Sequence, residues 1–415
     1  MIPVNLRSET GRLNAVLLHR PGREIEAMAP QNAPDVLYSD ILNLDIVNRE
    51  YACFSGALEK VAKVFYVRDI LEELLTDDDI SEVLVRQSCA YDGCDFLADE
   101  LLTHDAKTLA GELIEGFAYR KGKDPESFAQ RRFLLRPLYN LFFTRDASSC
   151  MYRKALINSM SIEVRGRESL LYKTIFEQYF RTETLWAQKY DAKARTEGGD
   201  IQIVRDGLVC IGNGIRTNMQ GIEYLVNQFG IGEDNFSFIV QELPHKPDSF
   251  IHLDMVFTHL GEHQCMVFEP MLKHSGLFAN MHTYMLSTAG SKVERREFPD
   301  ILKALEYAGV EMEPVFCGGR SGEGLFDDWK QEREQWHSGA NFFAFGDNHV
   351  IGYRRNGHTI DALDKAGFAV LKAEDVCAGT THPFDYEKAV VTFAASELPR
   401  GGGGARCMTC PINRD

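Results

Sequence analysis

The sequence predicts an α/β fold built by repeating one strand–helix unit, in preference to a single doubly wound sheet. Two patterns carry that prediction. A short buried strand, a polar loop, an amphipathic helix, a glycine and another strand recur about five times along the chain. Between about Asp69 and Leu135 the strand signals vanish and charged, helix-favouring stretches take over, which reads as a helical insertion in the series. At 415 residues and 44% hydrophobic content the chain can bury a large core. The alternative is an ordinary α/β protein whose βα units are unrelated.

In chain order, Leu13 to Leu18 reads as a strand ended by His19-Arg20-Pro21-Gly22. Helical spacing follows between Val47 and Val61, then a short strand, Val64-Phe65-Tyr66-Val67. The insertion contains candidate helices at Ile70–Leu75, Ile80–Arg86, Leu109–Phe117 and Glu126–Phe133, broken by Gly and Pro. A clear copy of the unit runs Gly207–Ile211, Asn213–Thr217 and helical Gly221–Phe229. Another runs Val350–Tyr353, Asn356-Gly357-His358, helical Ile360–Ala366, then strand Phe368–Leu371. Weaker copies surround Met151–Phe180 and Met266–Ala308. The expected organisation is residues 1–70 as a first unit, 71–135 as the insertion, and 136–415 as the remaining units with a C-terminal cysteine loop.

Charge and cysteine usage narrow the function. The net charge of −16 disfavours nucleic acid and anionic membrane as partners. No apolar run is long enough to span a bilayer, and Met1 to Arg7 lacks the apolar core of a signal peptide. Ten cysteines, scattered from Cys53 to Cys410 without framework spacing, read as reduced thiols in a cytoplasm.

Five constellations could carry chemistry. Asn140 to Asp146 leads apolar positions into an Arg–Asp pair, placing the acid at a strand end or loop mouth, although such a pair is often a structural ion pair. Glu197-Gly198-Gly199-Asp200 puts two carboxylates beside glycines that allow close backbone approach; a surface turn is the plain alternative. His252-Leu253-Asp254 reads as a strand whose imidazole and carboxylate share a face. Those groups form either a buried structural pair or, with Glu197, a metal site. Arg165 and Arg216, each just ahead of a helix, offer forked donors suited to a carboxylate or phosphate, or else ordinary salt bridges. Cys407 and Cys410 follow the run Gly401 to Gly404, which suggests a nucleophile on a flexible hinge. A redox C-x-x-C or half a zinc site is the other reading of that pair. Taken together, acids, a His-x-Asp segment, two arginines and a terminal cysteine are what a thiol enzyme needs to attack a guanidinium.

At these residues the chain resembles the arginine deiminases of the guanidino-group modifying superfamily. The resemblance rests on Leu18 to Gly22, Asn140 with Phe143-Thr144-Arg145-Asp146, Arg165 with Arg167-Glu168, Glu197 to Asp200, and Arg216-Thr217. It continues through His252 to Asp254, Arg333 to Trp336, Gly339-Ala340-Asn341, and Arg406 to Pro411. It implies a five-bladed α/β propeller of pseudo-fivefold ββαβ repeats, with the helical insertion after the first blade. It also implies hydrolysis of L-arginine to L-citrulline and ammonia through a covalent Cys407 intermediate, without metal or other cofactor, in a homo-oligomer (dimer or tetramer). Carried across by motif, Cys407 is the nucleophile, and His252 protonates the leaving ammonia and then activates water. Asp146 and Asp254 grip the guanidinium, Glu197 orients His252, and Asn140, Arg165 and Arg216 hold the α-carboxylate.

One departure concerns access. Many members carry a large residue five positions before the cysteine, where this chain has Gly402, and Gly-His before the cysteine, where it has Ala405-Arg406. Arg406 is therefore a candidate gate. Acids around Cys407 predict a mostly neutral thiol in the empty enzyme, with the arriving guanidinium lowering its pKa. Rival readings are hydrolysis of another guanidine, arginine dihydrolysis to ornithine, amidino transfer, a non-catalytic arginine sensor, and a metallohydrolase using His252, Asp254 and Glu197.

Overall fold

The computed structural model describes residues 2–30, 38–322 and 327–415. It is a mixed α/β structure whose strands form five sheets of three to five strands and one two-stranded ribbon. Each of the five sheets contains the same motif, an antiparallel neighbour on one side of a central strand and a parallel neighbour on the other. In the first, Leu13–Leu18 pairs in parallel with Lys63–Tyr66 and antiparallel with Cys410–Arg414, so the two ends of the chain share one sheet. In the second, Lys154–Ile157 lies between Ser148–Met151 and Glu183–Trp186. The third centres on Leu208–Asn213, between Ile201–Arg205 and Asp234–Glu242, and is extended by Thr283–Ala289 and Lys292–Phe298. The fourth centres on Gln264–Val267, between Phe257–His259 and Glu313–Phe316. The fifth centres on His349–Tyr353, between Phe343–Gly346 and Ala389–Phe393, with Ala369–Lys372 at its edge.

The parallel neighbours explain the sequence pattern. A parallel partner needs a crossover, and helices supply it: Leu44–Glu59, Gly166–Thr174, Met219–Leu225 and Gly357–Lys365 follow four of the central strands. The central strands are buried on both faces, so they read as continuous apolar runs instead of alternating ones. Leu13–Leu18 shows the consequence: Ala15 and Leu17 enter one core cluster while Val16 and Leu18 enter another.

Between the first two sheets lie the helices Val67–Leu74, Asp78–Asp92 and Ala106–Glu115. Asp77 caps the second, accepting from the amides of Asp79 and Ile80, and Gly93 closes it in the left-handed conformation at φ 70°. Asp105 caps the third in the same way. These helices share the largest core with the sheets, through Leu71, Leu84, Leu113, Ile114, Leu171 and Phe176 among others.

Three local expectations need correction. Glu126–Phe133 is not a helix: only Glu126–Phe128 forms a single 3-10 turn, and Phe133–Leu135 pairs with Phe117–Ala118 as the ribbon. Strand pairing there overrides the helix-favouring composition. Val67 begins a helix and does not end the preceding strand. His252-Leu253-Asp254 is not a strand either, since Leu253–Met255 is a 3-10 turn and the strand starts at Phe257. An apolar run with one polar pair does not distinguish a buried turn from a buried strand.

Candidate active site

The antiparallel outer strand of every sheet is preceded by a tight turn, and these five turns converge. Thr144–Ala147 precedes the second sheet, Gly198–Asp200 the third, and Leu253–Met255 the fourth. In the fifth sheet the turn closes by a hydrogen bond from the Asn341 amide to the Ser338 carbonyl, at 3.0 Å. Before Cys410–Arg414, the Met408 amide donates to the Gly404 carbonyl at 3.2 Å and turns the chain at Cys407. These turns or the residues flanking them carry Asp146, Glu197, His252 with Asp254, Asn341 and Cys407. Each of those residues is at most 4% exposed.

His252 is the hub. Its Nε2 lies 2.9 Å from Glu197 Oε2, and its Nδ1 lies 3.8 Å from Asp146 Oδ1. Burial alone would push the imidazole down. The Asp146 charge, the Glu197 hydrogen bond and the Asp200 charge outweigh it and raise the pKa to about 9. Glu197 is held well below the usual carboxylate range: burial works upward, but Arg216, His252 and Arg165 prevail. Its Oε1 accepts from the amide and hydroxyl of Ser161, both at 3.0 Å, and meets Arg216 Nη1 at 3.4 Å.

The nucleophile candidate sits against Asp254, with Cys407 Sγ 3.8 and 4.0 Å from the two carboxylate oxygens. Burial first, then Asp254 and Asp146, push the thiol well above its ordinary value; a Gly404 amide and Arg406 work in the opposite direction. The sequence pointed to the acids but not to burial, which is the larger cause. Asp254 is itself raised by burial, partly offset by Arg406 and His252.

Arg165 and Arg216 reach the site with their charges already engaged. Arg165 forks onto Glu168 at 3.0 and 2.8 Å and meets Asp146 Oδ2 at 2.7 Å. Arg216 lies on Glu197 and Ser161. Arg165 Nη2 also approaches the Asn140 carbonyl at 3.5 Å, which brings buried Asn140 to the same corner. Buried atoms left without hydrogen-bond partners here include His252 Nδ1, Asp146 Oδ1, Asp200 Oδ2 and Arg216 Nε. With His252 charged, its Nδ1 and Arg216 Nε are donors and Asp146 Oδ1 is an acceptor, so an incoming cation would be met at Asp146 and an anionic tail at Arg216.

Asp146, Glu197 and His252 also offer ligand atoms within 4.8 Å of one another, as a metal site would. Two of these three groups already carry an arginine, Arg165 on Asp146 Oδ2 and Arg216 on Glu197 Oε1.

The structure removes Arg406 from the gate. It is 1% exposed and points inward, forking onto Glu9 at 3.2 and 3.1 Å and onto Asp254 Oδ2 at 2.9 Å. Its remaining donors meet the Gly199 and Ile201 carbonyls. A guanidinium with every fork filled holds the site from behind and does not cover it. The glycine run is likewise no flexible hinge: Gly401, Gly403 and Gly404 are buried, and Tyr353 Oη donates to the Gly403 carbonyl at 2.9 Å. Gly402 adopts φ 85°, a left-handed conformation that disfavours any larger side chain there. Cys410 packs against Ser148 on the first strand of the second sheet, and all ten cysteines are free.

Glu9, Ser161 and Asn341 were not assigned roles from the sequence. Glu9 lies in an undistinguished N-terminal stretch with no signal to find it. Asn341 stood within the Gly339-Ala340-Asn341 motif, and that motif was the available clue.

Gly199 fixes the imidazole. A Cβ at this position would lie 2.6 Å from both Cγ and Nδ1 of His252, so the ring must move. Misplacement of about 1 Å costs roughly a hundredfold in rate. Gly199→Ala is therefore expected to lower kcat about a hundredfold with little change in melting temperature. A kcat within about threefold of wild type would show that the ring has room to move.

The family model described as arginine deiminase matches residues 35–414. A curated arginine deiminase of Limosilactobacillus reuteri is 30% identical over 438 aligned residues, covering 100% of this chain and 98% of that protein. Among solved structures, SxtG, an amidinotransferase from Microseira wollei in the saxitoxin biosynthetic pathway, aligns with TM-score 0.55 at 13% identity, over 100% of this chain and 98% of that one. The product-bound N-terminal domain of ArgZ, an arginine dihydrolase from the ornithine–ammonia cycle in Cyanobacteria, aligns with TM-score 0.53 at 12% identity, over 96% and 97%. At such identity these structures speak to the fold alone.

Proposed function

The chain belongs to the arginine deiminase family, and from that premise we propose that it hydrolyses L-arginine to L-citrulline and ammonia at the five converging turns. The observation that carries this reading is the unpaired pair His252 Nδ1 and Asp146 Oδ1 in a cluster that also holds the Cys407 thiol. A planar guanidinium fits between the acids: Asp146 and Asp254 take its nitrogens, and its carbon faces Sγ. Asn140, Arg165 and Arg216 hold the α-carboxylate, with the free Nε of Arg216 as one donor.

In the first step the bound guanidinium favours ionisation of Cys407, whose proton is lost to solvent, and the thiolate adds to the guanidinium carbon. His252, charged at neutral pH, gives its proton to the departing nitrogen, the C–N bond breaks and ammonia leaves. The thiouronium that remains is attacked by water, whose proton passes to His252 held by Glu197. The C–S bond then breaks, citrulline leaves, and the hydroxyl proton given up as its carbonyl forms returns to the sulfur and restores the thiol. No metal or organic cofactor enters either step.

As part of the same proposal, the five sheets are the blades of a five-bladed α/β propeller, closed where Leu13–Leu18 meets Cys410–Arg414. Residues 71–135 are an insertion after the first blade. The free cysteines support a reducing cytoplasm, and a dimer or tetramer is the expected assembly. Product analysis tests the reaction. Arginine should yield citrulline and ammonia in equal amounts, without ornithine and without amidino transfer to added glycine. Two ammonia per arginine with ornithine would favour dihydrolysis, and a new guanidino compound would favour transfer.

A further inference from the structure

The turns before the outer strands each place one or two polar side chains in the site, and the fifth sheet's contribution is Asn341. From that repetition and its contacts we propose that Asn341 is a further catalytic residue, donating a hydrogen bond that stabilises the Cys407 thiolate. The inference rests on the reading of Cys407 as the nucleophile.

Four contacts support it. Asn341 Nδ2 lies 3.2 Å from Cys407 Sγ and donates to the Asp254 carbonyl, also at 3.2 Å. Asn341 Oδ1 accepts from the amides of Arg406, at 2.8 Å, and Cys407, at 3.2 Å. The amide group is thus fixed with its acceptor on the backbone of the cysteine turn and its donor on the sulfur. The orientation follows from the network, because the opposite one would aim an oxygen at the Asp254 carbonyl and an NH2 at two N–H groups. Gly404 makes the approach possible, since a Cβ there would lie 2.6 Å from Asn341 Oδ1.

The chemistry requires such a donor. Sγ is flanked by Asp254, and burial with the acids disfavours its anionic form. Arg406 spends its donors on Glu9, on Asp254 Oδ2 and on the Gly199 and Ile201 carbonyls, and gives none to the sulfur among the described contacts. Within hydrogen-bonding reach of the sulfur, Nδ2 is the neutral side-chain donor among the described contacts, acting beside the Gly404 backbone amide. A hydrogen bond to an ionised group contributes roughly ten- to a hundredfold in an equilibrium.

The test follows Cys407 by mass spectrometry as iodoacetamide alkylates it across pH, alongside steady-state kinetics on arginine. In Asn341→Ala, kcat should fall about ten- to a hundredfold with KM within about threefold, and the alkylation midpoint should rise by about one pH unit. A purely structural asparagine gives the opposite sign. Its loss would loosen the turn, relieve burial, and move the midpoint down toward the ordinary thiol value with faster alkylation. That result, or an unmoved midpoint, overturns the proposal. Asn341→Asp keeps an acceptor for the two amides but removes the donor, so it should fold, lose activity and show the same upward movement. Wild-type kcat in Asn341→Asp also overturns the proposal, and this variant decides the matter if Asn341→Ala does not fold. Citrulline production by wild type but not by Cys407→Ser keeps the nucleophile reading intact whatever these variants show.

Discussion

His252→Asn should lower citrulline formation by about 10³- to 10⁴-fold while the protein stays folded. General acid–base catalysis contributes about 10²–10⁴, and this imidazole is proposed to act in both steps, so the upper part of that range is expected. Asparagine preserves polarity beside Glu197, whose Oε1 keeps Arg216 and Ser161. Binding of arginine, held by groups on other turns, should change far less than kcat. The pH profile adds a second reading. With its pKa raised to about 9, His252 carries the proton at neutral pH, so wild-type kcat should fall as pH rises through about 9. The stability from the charged imidazole is complete below the unfolded value of about 6.5 and is lost as pH rises through about 9. Both effects should be missing from the variant. A His252→Asn enzyme within tenfold of wild type would remove His252 from the chemistry.

Arg406→Met should be among the most destabilising single substitutions in the chain, costing about 3–5 kcal/mol in urea unfolding. Methionine fills similar volume, but Glu9 and Asp254 are left buried without the guanidinium that both share. The Glu9 pKa gives an independent magnitude. Burial pushes that carboxyl up, yet Arg406 and Arg145 bring it from 4.5 to about 2. That difference corresponds to roughly 3 kcal/mol, within the range expected for a broken buried pair. The contribution is present above about pH 4.5 and is lost as pH falls through about 2, so wild type should weaken in acid and the variant less so. Adding Glu9→Gln to Arg406→Met should recover part of the loss. A loss below about 1 kcal/mol in the single variant would mean that solvent or a rearrangement compensates the acids.

The two substitutions show which parts of the structure the sequence exposes. The repeated unit was legible because every parallel strand pair needs a crossover helix, and buried central strands such as Leu208–Asn213 stay apolar up to their last residue. Asp146, Glu197, His252, Asp254 and Cys407 were legible because chemistry restricts them to a few residue types at fixed motifs. Their backbone setting was not: His252-Leu253-Asp254 reads as a strand because a buried turn is as apolar as a buried strand. Arg406 was misread for a related reason. An arginine beside a cysteine looks like a surface group until Glu9, almost four hundred residues away in sequence, folds against it, and no local pattern encodes that distance. The glycine run failed in the same direction. Glycines that permit motion and glycines that permit close packing are identical in sequence, and only Phe143 and Asn341 packed against Gly403 and Gly404 show which kind these are.

The most direct test compares wild type with Cys407→Ser in a citrulline assay on L-arginine. The turns then differ by one atom, the sulfur 3.8 Å from Asp254. Wild type should produce citrulline with ammonia, and Cys407→Ser should produce none above background while remaining folded. Citrulline from the serine variant at a rate near wild type, or none from wild type, would contradict a reaction that runs through Cys407.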